Sequence, residues 1–139
     1  MILLSLAAAA VFAAAAVTDI RARRISNALV LALALVGVMR MAIEGGPVLA
    51  DIGVALALFA AGVWAFHVGA FGGGDVKLLA AGALWTGVAG VTTFLTVTAL
   101  AGGVLALGFL LAGQRRASLP YGVAIAVGGM VVTVGMGGG

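Results

Sequence analysis

Residues 69–80 read Gly-Ala-Phe-Gly-Gly-Gly-Asp-Val-Lys-Leu-Leu-Ala. Three glycines lead straight into the carboxylate of Asp75, and apolar sequence resumes once Lys77 has passed. Short polar connections between long apolar runs recur along the chain, and they decide its class. Of 139 residues, 65% are hydrophobic and only 8% charged, with a mean hydropathy of +1.35. A soluble domain carries about 25% charged residues, and in water this chain would expose large apolar patches. The composition therefore implies an integral membrane protein. Ten-residue segments of alternating polarity, the mark of an outer-membrane barrel, are missing, so the spans are expected to be helical.

Working outward from the glycine loop, six apolar runs emerge, at about 2–17, 28–43, 48–68, 75–85, 91–112 and 121–134. The expected fold is all-α: one polytopic membrane bundle over residues 1–139, with about six transmembrane helices and no separate domain. The first run resembles a signal peptide, but its arginines follow the apolar residues rather than precede them, so a retained span is expected. Six spans place alternate connections on one side: 19–27, 69–77 and 113–120. Those hold Arg21, Arg23, Arg24, Lys77, Arg115 and Arg116, six of the seven cations, against Arg40 alone on the other side. This bias sets the three connections in the cytoplasm and both termini on the non-cytoplasmic side. It also explains a pI near 10.7 without nucleic acid, which is not expected as a partner. With no cysteine and a single histidine, neither a disulfide framework nor a metal centre is expected.

Only four acids are present. In this topology Glu44 and Asp51 lie about 30 Å from the cytoplasmic ends, as interfacial polar residues. Asp19 and Asp75 share the cytoplasmic side. On residues alone the two have competing readings. Asp75 is the cap of a helix and Asp19 a counter-charge for the arginines, or the two form a carboxylate dyad. In a dyad one carboxylate acts as base on a water while the other donates to a carbonyl oxygen. Repulsion and partial desolvation would retain one proton near neutral pH. Gly72, Gly73 and Gly74 suit the dyad, because bare Cα positions admit an extended substrate backbone and allow non-helical backbone lining a wet cavity.

Three segments carry a family resemblance. Gly72-Gly-Gly-Asp-Val-Lys77 resembles the Gly-x-Gly-Asp-x-Lys motif of the type IV prepilin peptidases, which are membrane aspartyl proteases. Asp19-Ile-Arg-Ala-Arg-Arg-Ile-Ser-Asn27 is similar to that family's first-aspartate segment, with Ser26 in place of the usual proline. Leu119-Pro-Tyr-Gly-Val-Ala-Ile-Ala126 is similar to its Pro-Tyr-Gly-Pro-Ala segment, with Val123 in place of the second proline. The resemblance implies that Asp19 and Asp75 are catalytic, with no metal or other cofactor. It also implies cleavage of a short basic leader after a glycine on prepilin or pseudopilin substrates, at the cytoplasmic face of the inner membrane. The cysteine-bearing insertion of the longer enzymes is missing, so no N-methyltransferase activity is expected, and the chain resembles the short, peptidase-only form of tight-adherence (Flp) pilus systems, with archaeal preflagellin peptidases as close cousins. A small transporter or a structural subunit is the rival class, though none of the four acids falls mid-span as a transporter's would.

The remaining polar and aromatic residues have plainer readings. His67 is expected at an interfacial helix end, and Trp64, Trp85 and Tyr121 in the interfacial aromatic belt. Asn27 is expected to cap the second span. Lys77 either tunes Asp75 or serves as a positive-inside anchor.

Overall fold

The computed structural model describes residues 2–113 and 119–138, with side chains described as far as 135. Arg115 and Arg116 lie outside the described residues. Five helices follow in order: α1 Ile2–Ala22, α2 Asn27–Glu44, α3 Val48–His67, α4 Gly73–Leu111 and α5 Tyr121–Gly138. No strand occurs among the described residues. Helices α1 to α4 are long and apolar enough to cross a membrane, and α5 adds a shorter apolar run.

Two boundaries differ from expectation in ways that matter for the site. Nothing in Thr18-Asp-Ile-Arg-Ala22 breaks a helix, so α1 continues through Asp19 and ends only where Arg23 takes a left-handed φ of 53°. Asp19 therefore sits on a helix rather than in a loop. Helix α2 is capped by Ser26, whose hydroxyl accepts the Leu29 N–H at 3.2 Å, and not by Asn27 as expected. The serine hydroxyl thereby satisfies one of the free amides of the helix start.

The fourth and fifth expected spans form one element, α4, broken at Gly87 (φ 66°, ψ −177°). A single residue makes the break, so little of the expected turn at 86–90 leaves the helix. The two limbs fold back on each other. The Phe94 ring occupies the space where Gly82 would carry a side chain, whereas in a straight helix twelve residues would separate them by about 18 Å.

Helix α5 packs against α4 and α1, while α2 and α3 each pack on α4. Phe12, Leu33, Leu78, Trp85, Phe94 and Ile125 fill the centre. Trp85 is fully buried, with its indole N–H donating to Thr133 Oγ at 2.9 Å, so it belongs to the core and not to the aromatic belt. Trp64 is exposed, as that belt requires. Large apolar side chains such as Leu3, Leu31, Leu49 and Leu56 point outward, as they do in lipid. That outward greasiness explains why the helices carry no apolar stripe in sequence.

Candidate active site

At one end of the bundle, the last turn of α1 and the first turn of α4 open onto a single cavity of about 970 Å³. Asp19 and Asp75 both line it, together with Gly72, Gly73, Gly74 and Lys77. Asp19 is buried and Asp75 half-buried. Every residue expected at the site is thus in one place, at the rim of the apolar helices.

Each carboxylate is held by backbone amides. Asp75 Oδ2 accepts the Gly72 N–H at 3.3 Å, with Gly72 the N-cap of α4 and Asp75 three residues on. The capping reading and the site reading of Asp75 are therefore compatible, because one oxygen closes the helix start and the side chain still faces the cavity. Asp19 Oδ2 accepts the Val123 N–H at 3.3 Å from the first turn of α5. The same N–H also donates to the Pro120 carbonyl at 3.0 Å, so it is shared between the carboxylate and the turn that opens α5. Gly122 makes this approach possible, since a Cβ there would lie 2.8 Å from Asp19 Oδ2. The Pro120-Tyr-Gly122 segment is thereby joined to the first aspartate, a link that sequence order alone leaves invisible.

Lys77 Nζ donates to Asn27 Oδ1 at 3.2 Å, tying the first turn of α4 to the start of α2. Neither reading of Lys77 anticipated this contact, and it gives Asn27 a role other than capping. Tyr121 packs edge-on against Phe71, ring centres 5.0 Å apart, and lines the cavity rather than standing in the belt. His67 ends α3, exposed, with its ring against Phe66 and outside the cavity lining. Among the described residues no three His, Cys, Asp or Glu side chains cluster as a metal would need.

Glu44 and Asp51 stand apart from the cavity, as their helix positions require, but they are more than interfacial polar residues. Asp51 is 2% exposed and Arg40 5% exposed. Arg40 bridges Asp51 at 2.8 Å and Glu44 at 2.9 Å, and it donates to the Leu84 carbonyl at 3.1 Å. Asp51 Oδ1 accepts the Val88 N–H at 2.8 Å. In an unbroken helix the Val88 amide would bond the Leu84 carbonyl. Here the ion pair takes both partners of that bond and splints the gap. The Arg40 to Glu44 spacing of four residues was the one visible signal of this cluster.

The fold and site define an all-helical membrane protein with two carboxylates facing one open cavity at the bundle's end. The sequence matches the type IV leader peptidase family over residues 6–107, a stretch that contains both Asp19 and Asp75, and the chain belongs to that family. Comparison with curated proteins and with solved structures gave no match.

Proposed function

We propose that the chain is an aspartyl endopeptidase that removes short basic leaders from type IV, Flp-like prepilins, using Asp19 and Asp75 as a dyad. The observation that carries this is the shared cavity: two carboxylates on different helices, α1 and α4, face one space with a glycine-lined wall. One carboxylate takes a proton from a water as its oxygen attacks the scissile carbonyl carbon. The other, protonated, donates to the carbonyl oxygen. Collapse of the tetrahedral species breaks the C–N bond: the leaving nitrogen takes the proton that the base had gained from water, and one hydroxyl returns a proton to the carboxylate that had donated. The pair titrates as a unit, so each proton belongs to both residues. The exposed first turn of α4 at Gly73 leaves backbone open to an extended peptide.

Counting the limbs of α4 separately gives six membrane spans. The cations at 21–24 and Lys77 then lie with the cavity on the cytoplasmic face of the inner membrane, and both termini lie outside. The test replaces each acid by its amide. Asp19→Asn and Asp75→Asn are each expected to abolish cleavage of a co-expressed Flp-type precursor while the protein still inserts at wild-type level. Full processing by either variant would remove the dyad.

A further inference from the structure

Helices α2 and α3 are joined by three residues, 45–47, yet they pack on α4 rather than on each other. Between them lies an apolar groove of about 270 Å³, floored by Ala80, Ala81 and Leu84 of α4 and walled by Ala34, Leu56 and Phe59. Leu56 and Phe59 are largely exposed, so the groove opens sideways toward lipid. Lys77 lines both this groove and the carboxylate cavity. The two spaces therefore meet at one side chain, two residues beyond Asp75. From Lys77 to Leu84 the groove runs seven helical residues, about 10 Å.

We infer that the groove is a docking track for an apolar helix of the substrate, entering from the bilayer between α2 and α3. The inference rests on the peptidase reading of the site. A substrate that is part helix in lipid and part extended chain at the carboxylates needs two surfaces joined end to end, one apolar and one polar. The groove and cavity have that arrangement, with Lys77 at their junction. The groove's size suits a ridge of side chains at i, i+3 or i+4, and i+7 rather than a whole helix, as when an amphipathic helix is read by a groove. The Lys77–Asn27 hydrogen bond spans the α2–α4 side of the junction, so the docked helix would pass beside it.

The natural chain has no cysteine, which makes single-cysteine crosslinking direct. Leu56→Cys, in a chain that also carries Asp75→Asn, would be oxidised against cysteines walked along the sequence that follows the leader of a Flp-type precursor. Leu107→Cys, exposed on the other limb of α4, is the control. The expected result is crosslinking at Leu56→Cys that recurs every three or four substrate positions and is absent at Leu107→Cys. In the active chain, Ala34→Phe should raise KM for the precursor about tenfold with kcat nearly unchanged. Cleavage by the unmodified chain is measured first, and its failure would overturn the peptidase reading and the docking track with it. Normal cleavage with equal crosslinking at both sites would overturn the track alone. So would crosslinking of Leu56→Cys to a second copy, or to a photoactivatable lipid that the precursor does not displace.

Discussion

Asp19 owes its position to a residue with no side chain. The start of α5 can approach only because position 122 is glycine, and a Cβ there would meet both Asp19 Oδ2 and Ile25 Cδ1 at 2.8 Å. Gly122→Val should therefore push α5 away from the carboxylate. A displacement of about 1 Å at a reacting group costs up to about 100-fold in rate, so precursor cleavage should fall by that order while membrane insertion persists. Unchanged turnover would mean that Asp19 needs no backing from α5. Lys77 is the second case at this scale. If its bond to Asn27 positions the glycine loop, Lys77→Met and Asn27→Leu should each lower kcat/KM, and the double variant should lose no more than the worse single one. Strictly additive losses would show that the two residues act separately. That Asp19 and Asp75 line one cavity agrees with the expectation from cation placement, which put the two acids on one side. The seating of Asp19 on α5 was not, since Gly122 meets it across about one hundred residues. Asn27 was expected as the cap in place of Ser26 for a local reason: two adjacent residues can both cap a helix, and only geometry shows which side chain faces the Leu29 amide.

The break in α4 illustrates what sequence withholds about an element. Thr86-Gly87 reads as a turn, and a change of direction does occur there. What stabilises it lies 36 and 47 residues earlier, in Asp51 and Arg40. Gly87 occupies a region of φ and ψ that is essentially glycine-only. Its missing Cβ would also lie 2.9 Å from Asp51 Oδ1 and 2.8 Å from an Arg40 nitrogen. Backbone freed from helical pairing at membrane depth must find other partners, and the ion pair supplies them. Arg40→Met should then be costly, because it strands a buried carboxylate, a loss of about 3–5 kcal/mol. Thermal unfolding in detergent should move well below that of the wild type. Adding Asp51→Leu should recover part of the loss by removing the stranded charge. An Arg40→Met protein as stable as wild type would show that the splint contributes nothing.

At the scale of the whole molecule, the all-helical membrane class followed from composition alone, while the packing inside it did not. In lipid the outer face is as apolar as the core, so hydropathy has no inside to point to. Trp85 shows the difficulty: it reads as a belt residue beside a turn, yet it is sealed in the centre against Thr133. What separates core from surface here is fit, such as Phe12 against Phe94 with ring centres 6.5 Å apart. Small residues admit such close packing between membrane helices. The proposed topology has a direct test in the cysteine-free chain. Ala22→Cys and Ala70→Cys should react with an impermeant maleimide only when the cytoplasmic face is open, and Gly46→Cys only from the other side. All three positions are exposed. Labelling of all three from one side would refute the six-span arrangement.

The splint at the break also has a place in time. Ribosomes deliver a chain from its first residue onward, so Arg40 and Asp51 reach the bilayer ahead of residue 87. The segment that cannot satisfy its own backbone thus arrives where its partners already wait. The order of synthesis matches the order in which the parts of the break are needed.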